Sequence, residues 1–277
     1  MNKSIVDCSW LNDHLLDDDL VILDASQKSN VSGLEPEYAG IRIKGAVSID
    51  IKGQFSDKHS EMPNTLLSPE EFQKAAQSLG INKRDKIVVY DNLGIYSSPR
   101  VWWMFKAMGH EAIAVLDGGL PEWINQGYAT EKIEDLDILP GDFVAELNQS
   151  MVKYIEDVVS NIESKEYSVL DARSLGRFAG TAPEPRKGLS SGHVPRSQSL
   201  PFKDVLDGGK MKSKSELKKI FESKISGDEP IIFSCGSGLT ACITLLAADQ
   251  VLDNEKSVYD GSWTEWAQKQ PNLIEKE

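Results

Sequence analysis

The sequence predicts an α/β protein made of two tandem copies of one domain, each a parallel sheet with helices on both faces. Short apolar runs alternate with helical stretches along the 277 residues, as they do where parallel strands are joined by helical crossovers and buried on both sides. That pattern also occurs twice. Leu23-Asp24-Ala25 returns as Leu170-Asp171-Ala172, and Lys86-Ile87-Val88-Val89-Tyr90-Asp91 as Pro230-Ile231-Ile232-Phe233-Ser234-Cys235. Asp117-Gly118-Gly119-Leu120-Pro121-Glu122-Trp123 returns as Asp260-Gly261-Ser262-Trp263-Thr264-Glu265-Trp266, and Ile43 to Ser48 corresponds loosely to Val194 to Ser199. A period of about 145 residues marks a duplicated domain, since solenoid repeats are far shorter. The expected boundaries are a first domain over 1–128, an acidic linker over 129–150 broken at Pro140-Gly141, and a second domain over 151–277.

In chain order, Trp10, Leu11, His14 and Leu15 fall at helical spacing behind the capping candidates Asp7 and Ser9, which predicts a short amphipathic helix. Val21 to Ala25 reads as a strand ending in a polar turn. Trp102-Trp103-Met104-Phe105 reads as packing on a first-copy helix equivalent to the one that follows Cys235. In the second copy, Ile231-Ile232-Phe233 is an apolar strand that runs into Cys235-Gly236-Ser237-Gly238 and then into Leu239-Thr240-Ala241-Cys242-Ile243-Thr244-Leu245-Leu246-Ala247-Ala248. This last segment is apolar nearly all round, hence a buried helix.

The loop at Cys235 is the candidate site. Ligands of parallel sheets bind at the carboxyl ends of strands, where Cys235 falls. Backbone amides curling through small residues into a helix N-terminus form an anion site and favour a thiolate. A core cysteine has no use for Gly-Ser-Gly beside it, so Cys235 is read as a nucleophile. The aligned position in the first copy is Asp91, which cannot do thiolate chemistry. The second copy is therefore expected to be catalytic and the first supporting.

Composition narrows the partners. Formal net charge is -13, which argues against nucleic acid or an anionic membrane as a partner. Three cysteines, Cys8, Cys235 and Cys242, form no disulfide framework and no Cys-x-x-Cys metal pair. The N-terminus from Met1 to Asp7 lacks an apolar signal core, and no run approaches a membrane span of about 18 apolar residues. A soluble, cytoplasmic monomer without metal or organic cofactor is expected.

These features together, with Gly192-His193-Val194-Pro195 and Cys235-Gly236-Ser237-Gly238-Leu239-Thr240-Ala241, resemble the two-domain rhodanese family of sulfurtransferases over nearly the whole chain. Within it the loop is similar to that of the 3-mercaptopyruvate sulfurtransferases. Thiosulfate-specific members resemble Cys-Arg-Lys-Gly-Val-Thr-Ala, with cations suited to a dianion. The resemblance implies transfer of a sulfane sulfur from 3-mercaptopyruvate or thiosulfate, through a persulfide on Cys235, to a thiol such as thioredoxin or to cyanide. It implies Cys235 and Ser237 as catalytic. It implies Gly236, Gly238, Leu239 and Thr240 as the amide cradle, and Arg177 and Arg186 as holders of the donor's carboxylate. Both arginines lie in a Pro- and Gly-rich stretch with no counterpart in the first copy.

The mercaptopyruvate enzymes also offer an Asp and a His as partners of the loop serine, where this chain has Lys52 and Asn64. Asp57 or His59 is a possible substitute. Arg173, beside Asp171, is expected to be structural, as are His193 at its turn and Cys242 in the buried helix; His14 and His110 show no constellation, and Trp263 and Trp266 either wall the site or close the core. A cysteine-dependent phosphatase would need an arginine at position 241, where Ala241 stands. A thiosulfate-specific enzyme and a noncatalytic sulfur carrier are the remaining alternatives.

Overall fold

A computed structural model describes residues 3–30, 32–134 and 136–277. Met1 and Asn2 of the N-terminus discussed above, and Asp135 of the expected linker, lie outside the described residues. The chain divides into two compact units: Met1–Asp57 with Leu66–Asn148 and Gly208–Met211, and Lys58–Thr65 with Gln149–Asp207 and Lys212–Glu277.

The first unit contains β1 (Ile5–Val6), α1 (Cys8–His14), β2 (Leu20–Asp24), β3 (Ile41–Ile43), β4 (Val47–Ser48), α2 (Pro69–Ser78), β5 (Lys86–Tyr90), α3 (Ser98–Ala107), β6 (Ile113–Leu116), α4 (Gly119–Asn125) and β7 (Thr130–Lys132). The expected N-terminal helix is α1, with the Asp7 carboxylate accepting from Trp10 N at 2.8 Å. Five strands make one parallel sheet in the order β1-β6-β5-β2-β4. Ile22, Val88, Tyr90, Ala114 and Leu116 lie on one face, in a core with Leu11, Leu120 and Trp123. Their neighbours Leu23, Ile87, Val89 and Val115 are equally buried. Both faces are therefore covered, which is why these strands read as unbroken apolar runs. Within the stretch expected as linker, β7 pairs antiparallel with β3. Beyond it Phe143 packs among Phe72, Phe105 and His110. Gly141 makes that return possible, because a Cβ there would sit 2.0 Å from the Ile81 carbonyl oxygen.

The later chain holds β8 (Val152–Lys153), α5 (Ile155–Ser164), β9 (Ser168–Asp171), α6 (Leu175–Ala179), β10 (Gln198–Ser199), β11 (Leu206–Asp207), β12 (Lys210–Met211), α7 (Lys214–Glu222), β13 (Ile231–Ser234), α8 (Ala241–Asp249), β14 (Lys256–Tyr259) and α9 (Ser262–Lys269). In the second unit the sheet is again five-stranded and parallel, in the order β10-β9-β13-β14-β8. Substituting each strand by its repeat partner turns one order into the other. The chain steps outward from β9 to β10, then returns to place β13 on the other side of β9. That reversal leaves a crevice at the carboxyl ends of β9 and β13. Helix α8 packs on β13 and β14 and is buried from Ala241 through Ala248, as its all-round apolarity predicts. Among the described residues, no helix is long and apolar enough to cross a membrane.

Candidate active site

Cys235 is the first residue beyond β13, the central strand of its sheet, and is 1% exposed. The register Ser234 opposite Asp171, closed by Ala172 N donating to Ser234 O at 2.8 Å, fixes where the strand stops. The loop then turns at Gly238, whose φ of 72° suits glycine. It is anchored from the start of α9. Ser262 Oγ accepts from Gly238 N at 3.0 Å and Cys235 N at 3.4 Å, and donates to Tyr259 O at 2.8 Å. Trp263 N donates to Cys235 O at 2.9 Å, while Thr264 donates to Gly236 O from its N at 3.1 Å and its Oγ1 at 2.6 Å. With those carbonyls turned to α9, the N–H groups of Gly236, Ser237, Leu239 and Thr240 meet no acceptor among the described residues. They remain available to an anion.

The first unit shows such a loop closed around a carboxyl group. Asp91, at the end of β5, is fully buried. Its Oδ2 accepts from Tyr96 N, Ser97 N and Ser98 N at 2.9 Å each and from Ser98 Oγ at 2.7 Å, and its Oδ1 from Leu93 N at 3.0 Å. Burial pushes the Asp91 carboxyl above its ordinary range, and these hydrogen bonds pull the other way. This copy carries a built-in carboxyl group where the second copy carries a thiol.

Two guanidinium groups converge on the Cys235 loop at Gly236. A Cβ on Gly236 would lie 2.9 Å from Arg177 Nη2 and 3.8 Å from Arg186 Nη1, so the bare glycine lets both approach. Arg186 also donates from Nη2 to Ser237 Oγ at 3.1 Å and from Nη1 to Thr264 Oγ1 at 3.4 Å. Arg177 is held by Glu184, Nη2 to Oε2 at 2.6 Å and Nε to Oε1 at 3.1 Å. The same carboxylate takes Arg173 Nη1 at 2.8 Å. Arg173 is buried over Trp263, its Cζ 4.0 Å from the ring centroid, and forks onto Asp171. Burial alone would lower its pKa, but Asp171 and then Glu184 outweigh it and raise it. Arg173 is thus a structural cation, as the sequence suggested.

The rhodanese-like domain family matches residues 7–126 and 155–269. The chain belongs to the rhodanese family. The thiosulfate/3-mercaptopyruvate sulfurtransferase 2 of Arabidopsis thaliana is 41% identical over 98% of this chain and 86% of its own. The 3-mercaptopyruvate sulfurtransferase of Homo sapiens is 38% identical over 95% of this chain and 92% of its own. Among solved structures, the crystal structure of the 3-mercaptopyruvate sulfotransferase SseA from Escherichia coli superposes with a TM-score of 0.82 at 34% identity, covering 94% of this chain and 99% of that one.

The residues expected at the site, Cys235, Gly236, Ser237, Gly238, Leu239, Thr240, Arg177 and Arg186, share the second unit. Asn64 joins them, donating from Nδ2 to Ser237 O at 2.9 Å and to Ser237 Oγ at 3.2 Å. Lys52 belongs to the first unit, where its Nζ donates to Ser29 O at 3.4 Å. His59 is exposed and Asp57 half-buried. His193 stacks on Phe178 with centroids 4.1 Å apart, its Nδ1 3.0 Å from Phe178 O, in a structural role. Cys242 Sγ donates to Gly238 O at 3.4 Å from inside α8. Trp263 and Trp266 are both in the core.

Sequence reasoning missed Ser262, Thr264 and Glu184. A signal for Ser262 was present in the repeat. It aligns with Gly119, and the two share a left-handed backbone, φ 50° and 54°. A serine where the twin has an obligatory glycine is a residue kept for its hydroxyl.

Proposed function

We propose that the protein is a sulfurtransferase that takes a sulfane sulfur from 3-mercaptopyruvate onto Cys235 and passes it to a thiol, such as that of thioredoxin, or to cyanide. The observation that carries this reading is the convergence of Arg177 and Arg186 on Gly236, beside a thiol in a loop that itself has no cation. Two guanidiniums suit one carboxylate of a small donor. The uncharged Ser237 hydroxyl suits a keto oxygen.

The Cys235 thiolate attacks the donor's sulfur, and an S–S bond forms as the C–S bond breaks. The electron pair of that bond goes to the carbon, giving the enolate of pyruvate. The persulfide's proton then passes to that carbon, leaving pyruvate and a persulfide anion. The open amides of Gly236, Ser237, Leu239 and Thr240 stabilise sulfur anions before and after transfer, as an oxyanion hole does for oxygen. The acceptor thiolate attacks the outer sulfur and restores Cys235. No redox partner is required.

No phosphate clamp fits the loop, because Ala241 at the position a phosphatase arginine would take is completely buried. The remaining expectations belong to the same reading: a monomer acting in the cytoplasm, a reducing compartment in which the three cysteines stay free.

The test is kcat/KM for 3-mercaptopyruvate and for thiosulfate, with Arg177→Ala, Arg186→Ala and Cys235→Ser alongside. Cys235→Ser abolishes transfer. Each arginine variant raises KM for 3-mercaptopyruvate by about ten- to a hundredfold, as loss of a charge-assisted contact of about 1.5–3 kcal/mol predicts. A preference for thiosulfate overturns the choice of donor. A chain that turns over neither donor is a sulfur carrier or binding module.

A further inference from the structure

Ser237 Oγ accepts two hydrogen bonds, from Arg186 Nη2 at 3.1 Å and from Asn64 Nδ2 at 3.2 Å. A hydroxyl has two lone pairs and one hydrogen. Two donors occupy the lone pairs, so the hydrogen must point elsewhere. The Asn64 amide cannot be turned to accept it, because its Nδ2 also faces the Ser237 carbonyl oxygen at 2.9 Å, and a carbonyl only accepts. Neither a guanidinium nor an amide nitrogen takes up a proton at ordinary pH. The proton of Ser237 therefore stays on Ser237 and is offered outward.

We propose that Asn64 is a positioning residue that fixes Ser237 as a permanent, non-titrating hydrogen-bond donor to the keto oxygen of the sulfur donor. This deepens the sulfurtransferase reading and rests on it. The charge on that oxygen grows as the C–S bond breaks and the enolate forms, so a fixed donor lowers the barrier more than it tightens binding. The backbone supports the assignment. Asn64 sits at φ 60°, a left-handed conformation that asparagine tolerates well, and it is 7% exposed. Its amide thus points from a tight turn with little freedom to move.

Among the described residues, Arg186 is hydrogen-bonded to Ser237, Arg177 with its partner Glu184 approaches the adjoining Gly236, and Cys235 lies two residues before it in the loop. On the segment that carries Asn64, Lys58, His59 and Glu61 are exposed. None of these exposed groups is hydrogen-bonded to Ser237 among the described residues.

Three variants test the assignment. Asn64→Gly keeps the left-handed turn and removes the amide. Asn64→Asp keeps the shape but presents acceptors, drawing the Ser237 proton away from the donor. Asn64→His places a titrating group, with a pKa near about 6.5, against the hydroxyl. Expected with 3-mercaptopyruvate are losses in kcat of about tenfold for Asn64→Gly and more for Asn64→Asp, with KM nearly unchanged. Asn64→His is expected to restore part of the rate and to add an ionisation near pH 6 to 7 that the wild type lacks. Melting temperatures accompany each variant, and single-turnover gain of one sulfur on Cys235, read by mass, reports transfer without an acceptor. Wild-type kcat in Asn64→Gly or Asn64→Asp overturns the proposal, as does an Asn64→His profile that superposes on wild type. Failure of the wild type itself to load sulfur strikes the sulfurtransferase reading instead.

Discussion

At the scale of single residues, Ser262 shows how strain and chemistry are exchanged between the two copies. A Cβ on Gly119 would lie 2.3 Å from Asp91 O, so the first copy holds this left-handed position with glycine. The second copy puts a serine there, against a cost of about 1–2 kcal/mol for a non-glycine in that region. What it gains is one oxygen that gathers Cys235 N and Gly238 N. Ser262→Gly is therefore expected to keep or slightly raise the melting temperature while lowering kcat/KM by about tenfold, one well-placed hydrogen bond's worth. Ser262→Ala keeps the strain, loses the oxygen, and should lower both. Equal activity in wild type and Ser262→Gly would show that the loop holds its shape without that hydroxyl.

At the scale of elements, the working unit is β13, its loop and α8, stapled by the first turn of α9. β13 is buried along its length, and α8 is buried on all sides except at its end. The loop between them is thus held at both ends by rigid elements, which suits a site that must present several amides at once. Gly236 is where the two arginines proposed to hold the donor meet this element. Gly236→Ala puts a methyl 2.9 Å from Arg177 Nη2, the far end of a flexible side chain, so the arginine moves and the fold does not. The expected outcome is a rise of about tenfold in KM for 3-mercaptopyruvate, with kcat and melting temperature little changed. A fall in kcat at constant KM would place Gly236 in the chemistry and not in donor binding.

At the scale of the whole molecule, one buried thiol ties stability to pH. Burial, then Glu122, pushes the Cys8 thiol from 9.0 up to about 12. The unfolded chain ionises this group near 9.0 and the folded chain does not, so its contribution to stability is complete below pH 9 and is lost as pH rises towards 12. Melting curves across pH 8 to 11 should fall more steeply for the wild type than for Cys8→Ala, and parallel curves would show that Cys8 does not ionise on unfolding. Much of this molecule was legible beforehand. The doubled strand order follows from a repeat visible in residues such as Asp24 and Asp171. The candidate nucleophile Cys235 stood out because a cysteine between an apolar strand and Gly-Ser-Gly has few other uses, and α8 because its apolarity runs all round. The return of Phe143 onto the first unit was not, because an acidic segment with a Pro-Gly break looks like a tether until its few apolar residues find a surface. Nor were the contacts of Glu184 with two arginines, of Ser262 with the loop, or of Asn64 with Ser237. Sequence alone determined the fold class and the duplication and singled out Cys235 as the candidate thiol, because these rest on periodicity and on neighbours along the chain. Only the tertiary structure decided which way the Ser237 hydroxyl must point. Its two partners, Asn64 and Arg186, lie 173 and 51 positions away, and hydrogen-bond direction between such residues has no trace in local order.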